Sequence, residues 1–324
     1  MKKTLLAASV LFCMGVNARE YSICTWQDDA TSAISFTYDD GCPNQYKTVV
    51  PMMNRYNLRG TFYTITDWAD NGSAIGWDQL REMSKSGHEI GSHTITHPNS
   101  VGAEELIVAK QKIEKEIGVP CISIAYPYCN YPRDQKALES SYISGRICNQ
   151  VIMPNNTTDY YRISSDICGT QGPLKTFADF QKRFEQARDV KGWCILLIHE
   201  IDNGSGYSPV KSTELDPTFS YLDQHRKDYW TDTFANISLY LRERNSSSVS
   251  EVSASRKKVV LSVTAGLDQE IYNYPLTLCF EQPKGWKNVS ASQNGHEVKS
   301  WVENGKVYVY AVPDAGNVEL KKSR

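Results

Sequence analysis

Residues 34–41 read Ile-Ser-Phe-Thr-Tyr-Asp-Asp-Gly, an apolar run that ends in two adjacent carboxylates and a glycine. This pattern predicts a buried strand whose carboxyl end carries polar chemistry. Side chains alternate between the two faces of a strand, but at a strand end the twist and Gly41 can direct Asp39 and Asp40 into one cleft. Two such carboxylates repel each other unless a cation lies between them or one takes a proton. The tripeptide by itself more often marks an ordinary strand and turn.

Short apolar runs alternate with amphipathic segments from residue 33 to residue 244. The predicted strands are 33–38, 59–65, 89–92, 122–126, 142–147 and 193–201, and the predicted helices are 46–56, 77–86, 103–117, 134–140, 177–190 and 230–244. Regular alternation of strand and helix predicts right-handed β-α-β units and a parallel sheet or barrel. In such folds the chemistry gathers at the carboxyl ends of the strands.

The pattern changes after residue 245, where a serine-rich stretch interrupts the helical period. Short alternating runs separated by Asn-Gly turns then predict a small antiparallel β domain. We therefore divide the chain into a signal peptide (1–18), a first domain (19–245), a linker (246–256) and a β domain (257–324). The β domain is either a structural appendage or a carbohydrate-binding module. Coplanar, exposed Trp286 and Trp301 would favour binding.

The amino-terminal residues predict export from the cytoplasm. A basic pair at 2–3, an apolar run at 5–16 and small residues at 16–18 are typical of a cleavable signal peptide. We expect a secreted or periplasmic protein, and no later segment predicts a membrane span. The bulky Phe12 before Cys13 is a poor fit to a lipoprotein signal, so we expect no lipid anchor.

The net charge and the cysteine content limit the classes of binding partner that the sequence predicts. The 324 residues carry a formal net charge of −2, which predicts no general affinity for nucleic acid or anionic membranes. Eight of the nine cysteines follow the signal, without a CxxC pair, and their pairing cannot be derived from the sequence. Several of them lie in apolar runs and are candidates for buried thiols. We infer no obligate protein partner.

Histidines mark two further strand ends. Residues 91–98 read Gly-Ser-His-Thr-Ile-Thr-His-Pro, which spaces His93 and His97 four residues apart. Either one alone is more often structural, but the pair together with Asp40 makes a set of ligands with open positions, suited to Zn²⁺ or another divalent first-row ion. His199 ends the most apolar strand and is either a buried structural residue or a general acid with a pKa near working pH.

Three of these motifs, in this order, resemble the polysaccharide deacetylases of the NodB-homology type, carbohydrate esterase family 4. The family motifs T-F-D-D-G, H-S/T-x-x-H-P and L-x-H correspond to residues 37–41, 93–98 and 197–199. The resemblance covers roughly residues 33–244 and implies an α/β fold, a distorted (β/α) barrel, here followed by the small all-β domain. It also implies a metal-dependent hydrolase that removes N- or O-linked acetyl groups from an acetylated oligo- or polysaccharide.

The resemblance assigns a role to each of seven residues. Asp39 would be the general base, Asp40, His93 and His97 the ligands of a divalent metal, His199 the general acid, Leu197 a contact for the acetyl methyl group, and Tyr128 the source of a backbone N–H for the oxyanion. Zn²⁺ is the expected metal, with Co²⁺, Ni²⁺ or Mn²⁺ as alternatives. In this scheme the metal polarises the acetyl carbonyl and acidifies its bound water.

Two family motifs depart from the common form. Where many members read R-x-P-Y-G, residues 125–129 read Ala-Tyr-Pro-Tyr-Cys, so the arginine that would pair with the base is missing. Arg162 is our candidate replacement, because an arginine keeps its charge and can bind a carboxylate through two donors. The alternative for Arg162 is an ordinary surface or inter-strand ion pair. The fourth motif has no convincing match, and Asp166, Glu200 and Asp202 compete to orient His199.

Two other functions remain open on the sequence. One is an amidohydrolase that uses the same scaffold on a small non-sugar amide, for which a signal peptide is an awkward fit. The other is a catalytically silent carbohydrate-binding relative, for which the missing arginine is the argument. The intact aspartates and histidines favour the enzyme.

Overall fold

The computed structural model describes residues 19–202 and 204–323. The predicted signal peptide falls on residues 1–18, outside the described residues, and stays a prediction. Within the described ranges, no helix is both long and apolar enough to cross a bilayer.

Eighteen strands make up the sheets of the described chain. They are β1 (Tyr21–Ile23), β2 (Ser32–Tyr38), β3 (Thr61–Thr64), β4 (Glu89–Ser92), β5 (Ser123–Ala125), β6 (Ser144–Ile147), β7 (Ile163–Ser164), β8 (Asp166–Ile167), β9 (Trp193–Ile198), β10 (Tyr229–Thr231), β11 (Ser248–Ala254), β12 (Lys258–Thr264), β13 (Leu276–Glu281), β14 (Asn288–Gln293), β15 (His296–Val298), β16 (Ser300–Glu303), β17 (Lys306–Ala311) and β18 (Val318–Ser323).

Eight α-helices accompany them in the same part of the chain. They are α1 (Val50–Arg55), α2 (Thr66–Asn71), α3 (Trp77–Lys85), α4 (Ala103–Ile117), α5 (Gln135–Ser141), α6 (Phe177–Asp189), α7 (Ser212–Gln224) and α8 (Phe234–Ser246). Most of the predicted elements form within a few residues of their predicted bounds. The helix α7 is not predicted by the sequence analysis, since Pro217 lies inside it and proline usually ends a helix.

Strands β2 to β10 form one parallel sheet in the order β7-β6-β5-β4-β3-β2-β9-β8, with β10 also paired to β2. The two edge strands, β7 and β8, are consecutive in the chain and only Ser165 separates them. The chain therefore passes directly from one edge of the sheet to the other, and the sheet is a nearly closed barrel. The predicted distorted (β/α) barrel is confirmed.

Parallel pairing puts the carboxyl ends of all these strands at one end of the barrel, which stays open. The amino end is closed by α8. The backbone N–H of Phe234 donates to Thr61 Oγ1 and that of Ala235 to Glu89 Oε2, at the first residues of β3 and β4. Phe234 packs with the fully buried Trp193 in an apolar cluster at this end. We call this cluster the amino-end plug.

The remaining strands form two antiparallel sheets, β1-β13-β17-β16 and β11-β12-β18-β14-β15, with an apolar core that includes Leu261, Leu278, Val309 and Leu320. The predicted all-β region is confirmed. The strand β1 lies in the first of these sheets, although the predicted division gives it to the first domain. That division otherwise stays a prediction.

Two expectations for this region are wrong. The predicted linker 246–256 contains β11, which pairs with β12 at the edge of its sheet. Its side chains are largely exposed and polar, so it lacks the alternation that reveals a half-buried strand. Trp286 is fully buried and Trp301 stacks on Tyr308 with 4.9 Å between ring centroids, so the two tryptophans do not form an exposed coplanar pair.

Candidate active site

A cavity of about 630 Å³ opens at the carboxyl end of the barrel. Seven of the eight predicted site residues line it, namely Asp39, Asp40, His93, His97, Tyr128, Leu197 and His199. They come from the ends of β2, β4, β5 and β9 and from the loops that follow these strands. Residues separated by up to 160 positions in sequence meet here because the parallel strands end together.

Asp39 and Asp40 face the same cavity although they are consecutive. Asp39 continues the ladder of β2, since its N–H donates to the carbonyl of Ile198 at 2.9 Å. The chain then takes positive φ values of 69° at Asp40 and 64° at Gly41. This left-handed turn directs the second carboxylate toward the first, and both approach His93 Nε2, at 3.7 Å from Asp39 and 3.5 Å from Asp40.

Three side chains have the spacing of metal ligands. Asp40 Oδ1 lies 3.5 Å from His93 Nε2 and 3.7 Å from His97 Nε2, and the three ligand atoms all lie within 4.8 Å of one another. Ligands bound at about 2.1 Å in a tetrahedral site are roughly 3.4 Å apart. Asp40 Oδ1 is buried and has no hydrogen-bond partner among the described residues. A divalent cation fits this set and would satisfy that oxygen.

The contact behind His93 prepares it as a ligand. His93 Nδ1 lies 2.8 Å from the carbonyl oxygen of Ala125, which requires Nδ1 to carry the proton that it donates. The neutral ring then presents its lone pair at Nε2, toward Asp40. Ala125, which stands where the family arginine is expected, thus contributes through its backbone.

His97 is held by a tight loop that Glu105 organises. Thr94 and His97 both have positive φ, 71° and 61°, and the His97 N–H donates to Thr94 Oγ1. The Glu105 carboxylate, from α4, accepts hydrogen bonds from the N–H groups of Ile95 and Thr96 at 2.7 Å and 3.1 Å and from the Thr96 hydroxyl at 2.7 Å. Glu105 therefore fixes a strained loop that aims His97 at the cavity.

The partner of Asp39 is Arg146, and the prediction of Arg162 is wrong. Arg146 Nη2 donates to Asp39 Oδ2 at 2.5 Å, and Nη1 donates to Ser165 Oγ at 3.0 Å. Arg146 is 1% exposed, on β6 beside β5. Arg162 precedes β7, pairs with Asp159 at 3.2 Å and has a side chain 47% exposed. The resemblance places the arginine at position 125, at the end of β5, whereas here the positive charge comes from Arg146 within β6.

His199 approaches Asp39 from the other side. Its Nε2 lies 3.9 Å from Asp39 Oδ2, while its buried Nδ1 has no hydrogen-bond partner among the described residues. The ring of Tyr207 packs edge-on against it at 4.9 Å between centroids.

None of the three carboxylates considered as a support for His199 contacts it. Asp166 is bound by Arg183 through two 2.8 Å hydrogen bonds. The other two bind backbone N–H groups: Glu200 those of Ile201 and Gly206, and Asp202 that of Ser212. His199 is therefore positioned by packing and not by a carboxylate.

Burial and charge set the protonation of the site. Burial raises the pKa of Asp40, but the contact with His93 and the charges of the nearby imidazoles outweigh it and lower the pKa to about 2. Burial lowers the pKa of His97 and of His199 despite the attraction of the two aspartates. Burial also opposes the charged form of His93, yet Asp39 and Asp40 raise its pKa. An anionic Asp40 and a neutral His97 suit a cation.

The rim of the cavity is braced covalently. Cys129 and Cys148 form a disulfide, which links the turn of Tyr128 to the segment that leaves β6 after Arg146. Tyr128 and Cys129 have positive φ, 53° and 59°. The ring of Tyr128 is 4.6 Å from that of His97, centroid to centroid, so this turn packs directly on the candidate metal ligand.

Sequence reasoning misses three residues that the site uses. Arg146 leaves a readable signal, an arginine inside a short strand otherwise made of small and apolar residues. Gln45 bridges the carbonyls of Asp39 and His199 through its amide at 2.6 Å and 2.7 Å, which no local pattern reveals. Glu105 is readable only as an ordinary acidic residue in the first turn of α4.

Comparison with known proteins supports the fold. A profile of the family described as polysaccharide deacetylase matches residues 27–142. Gellan lyase of a Bacillus species is 26% identical over 92% of this chain but only 13% of its own length. Chitin deacetylase of Colletotrichum lindemuthianum is 28% identical over 25% of this chain and 34% of its own length. The chain thus spans a minor part of both curated relatives.

A solved structure from Mycobacterium smegmatis, assigned to the polysaccharide deacetylases, has the same fold. It aligns with 68% of this chain and 93% of its own chain, with a TM-score of 0.53 and 17% sequence identity. The matched residues 27–142 carry Asp39, Asp40, His93 and His97 within the barrel. Residues 27–142 of this chain therefore match the polysaccharide deacetylase family, and its barrel has the fold of the Mycobacterium smegmatis structure.

Proposed function

We propose that the chain is a metal-dependent hydrolase that removes N- or O-linked acetyl groups from a carbohydrate. One observation carries the proposal: a cation-binding set, Asp40, His93 and His97, shares a cavity with an arginine-bound carboxylate, Asp39, and a further imidazole, His199. A binding protein would gain nothing from burying these charges together, since burial of charge is costly.

A divalent cation held by Asp40, His93 and His97 would polarise the acetyl carbonyl and lower the pKa of a water molecule. Asp39 is the general base. Its Oδ2 is bound by Arg146, which fixes the carboxylate, while its buried Oδ1 has no partner among the described residues and is free to accept a proton. Arg146 therefore acts as the positioning residue for the base.

His199 is the general acid. Its Nε2 faces Asp39 at 3.9 Å, so that acid and base flank one point in the cavity, as attack and departure on one carbonyl carbon require. The amine or alcohol that leaves takes its proton from this nitrogen in the imidazolium form of His199, which the charge of Asp39 favours and burial opposes. The backbone N–H of Tyr128 is the proposed oxyanion donor, and the buried Leu197 contacts the acetyl methyl group.

Aromatic side chains around the opening support a carbohydrate substrate. Trp68, Tyr128 and Tyr207 all line the cavity, and Tyr128 and Tyr207 are 59% and 50% exposed. Flat aromatic faces at an open rim suit the apolar faces of sugar rings. The name of the chitin deacetylase relative supports an acetylated sugar, and that of the gellan lyase relative supports a polysaccharide.

The test is acetate release by the purified chain from N-acetylated and O-acetylated oligosaccharides, and from a set of small non-sugar amides. Protein stripped with a chelator should be inactive and should recover with Zn²⁺, Co²⁺, Ni²⁺ or Mn²⁺. Acetate from sugars supports the proposal. Hydrolysis of small amides alone supports the amidohydrolase instead, and metal binding without any hydrolysis supports the silent relative.

We also infer that the chain is exported, from the predicted signal peptide. A disulfide between Cys129 and Cys148 agrees with an oxidising compartment. Mass spectrometry of the protein from its native source should find an amino terminus close to residue 19, and an intact Met1 would contradict the inference.

A further inference from the structure

A second concave surface lies on the antiparallel sheets and carries only positive charge. This groove, of about 780 Å³, has eight lining residues, Arg19, Ala254, Ser255, Arg256, Lys257, Pro283, Lys284 and Lys322. Five of the eight are cationic and none is acidic. We call it the cationic groove. It stands out because the whole chain has a net charge of −2.

The charges of the groove have no carboxylate partner in the described part of the chain, although the Arg19 guanidinium donates to the Tyr21 hydroxyl at 3.3 Å. Within the described residues, none of the five cations lies within 4.0 Å of a carboxylate oxygen, whereas the adjacent Lys258 pairs with Glu319 at 2.9 Å. Clustered cations repel one another, so a groove of this kind weakens the fold unless an anion occupies it. The neighbouring Lys258 and Lys321 are thus paired with Glu319, whereas the lysines that face the groove remain available to a ligand.

The groove has a fixed floor. The fully buried Trp286 donates its indole N–H to the carbonyl of Arg256 at 3.0 Å, which holds the turn between β11 and β12. The N–H of Lys322 donates to the carbonyl of Lys257 at 3.0 Å, and the guanidinium of Arg19 lies 5.7 Å from the centre of the Phe280 ring. Cations from four separate segments are thus mounted on one rigid surface.

We propose that the cationic groove binds the carboxylate groups of an acidic polysaccharide, such as a polyuronate. The proposal rests on the proposed function in taking the occupant to be a carbohydrate, and it adds the substrate class: a glycan that carries acid groups as well as acetyl groups. An open groove with several cations suits a chain with regularly repeated negative charges better than a single small anion.

The lining argues against two other polyanions. Firm peripheral membrane binding combines basic residues with aromatic or long apolar side chains that enter the lipid, and the apolar lining here is limited to Ala254 and Pro283. Single-stranded nucleic acid is bound by aromatic faces that stack on bases, and none of the described residues that line the groove is aromatic. A polyuronate needs neither feature.

The groove and the catalytic cavity share no residues. The antiparallel sheets adjoin the barrel through α8, which contacts β13, and α8 begins at the amino end of the barrel, whereas the cavity lies at the carboxyl end. The groove therefore acts as an anchor. It raises the local concentration of glycan around the enzyme and does not orient the acetyl group that reacts.

The test measures binding of the full chain to polygalacturonate by affinity electrophoresis, with a neutral glucan as the matched polymer. Asp39→Asn serves as the binding background, because it should lose turnover and leave the glycan intact. Migration should be retarded by the acidic polymer only, and the effect should disappear when the ionic strength rises from about 0.05 M to about 0.5 M.

Charge reversal locates the contact. Lys257→Glu/Lys322→Glu should weaken binding about tenfold or more. The control Lys85→Glu/Lys136→Glu makes the same change in net charge at exposed lysines of the barrel and should bind as before. If the reversed pair fails to fold, Lys257→Gln/Lys322→Gln removes the charges with less repulsion and should show a smaller loss in the same direction.

Equal weakening by both double variants would overturn the proposal, since net charge alone would then account for binding. Retention on vesicles rich in phosphatidylglycerol without retention by polygalacturonate would overturn it in favour of a membrane surface. Acetate release distinguishes the two proposals. Protein that releases acetate but does not bind polyuronate would contradict only the proposal for the groove. Protein that binds polyuronate but releases no acetate would contradict only the enzymatic function.

Discussion

The two ends of the barrel are built from the same strands but differ in whether their buried titratable side chains have hydrogen-bond partners. At the carboxyl end, buried atoms of Asp39, Asp40 and His199 have no partner among the described residues, and several backbone positions have positive φ. At the amino end, the indole of Trp193 donates to Ser35 Oγ, and apolar side chains fill the plug. The carboxyl end therefore lowers the stability of the fold in order to keep reactive groups available, and the amino end stabilises the fold.

Two buried or partly buried glutamates illustrate the contrast, because each accepts several hydrogen bonds, one at each end of the barrel. Glu105 binds the loop of His97 at the carboxyl end. Glu89 accepts from the hydroxyls of Thr61 and Ser123 and from the N–H of Ala235 at the amino end, where it also meets the positive end of the α8 dipole. The same side chain thus serves the site in one place and the fold in the other.

The largest effect on stability is expected at the amino-end plug. Phe234→Ala should lower the free energy of unfolding by about 3–5 kcal/mol, because it empties a fully buried position against Trp193. Denaturant unfolding measures the loss. Metal affinity at the site, measured below the onset of unfolding, should be unchanged. A parallel loss of metal affinity would show that the two ends are not independent.

The next effect separates the two arginines. Arg146→Ala should lower kcat by about 10- to 100-fold, which corresponds to the loss of one charged hydrogen bond to Asp39. Arg162→Ala removes only an exposed pair with Asp159, so its kinetics should match those of the wild type. Metal content should stay constant in both. Reversed kinetics would restore Arg162 as the partner of the base.

The two glutamates test the contrast between the two ends of the barrel with the same substitution, glutamate to glutamine. Glu105→Gln should weaken metal binding about 10-fold, the low end expected for residues that orient ligands, because it loosens the loop of His97. Glu89→Gln should lower the unfolding temperature and leave metal affinity unchanged. Competition with a chromophoric chelator and thermal melts measure the two quantities. The same profile for both variants would erase the distinction drawn here.

The smallest effect is a pH dependence of stability that arises from Glu243 on α8, the helix that closes the amino end. Burial raises the pKa of Glu243 on α8 from 4.5 to about 8, with the Tyr274 N–H lowering it in part. The folded chain then holds a proton that the unfolded chain releases, so this contribution to stability is complete below about pH 4.5 and is lost as the pH rises through 8. When the pH is raised from 6 to 8, the melting temperature of the Glu243→Gln variant should fall less than that of the wild type. An identical slope would refute the assignment.

The sequence predicts the barrel and most of the site because their signals are local. Asp39, Asp40, His93 and His97 lie in two short motifs, and the alternation of strand and helix places the ends of their strands together. Arg146 needs the register of β6 against the rest of the sheet, a property of the folded barrel. The local pattern marks Arg146 as an arginine inside a strand but does not reveal that it reaches Asp39, and this is why the prediction fell on Arg162.

Other misses have the same origin. The strand β11 is paired by its backbone and leaves its side chains in solvent, so its sequence reads as a linker. Trp286 carries no sign that separates a core tryptophan from a sugar-binding one, because both are aromatic residues beside turns. In each case the deciding fact is which neighbour the fold supplies.

The most direct test of the central claim is the metal content of three purified proteins: the wild type, His97→Ala and Asp39→Asn. Elemental analysis after dialysis against a weak chelator should find about one divalent ion per chain in the wild type and in Asp39→Asn, and almost none in His97→Ala. Turnover should fall by about 10³-fold in Asp39→Asn although its metal is retained. Equal metal content in His97→Ala, or near-normal turnover in Asp39→Asn, would contradict the account.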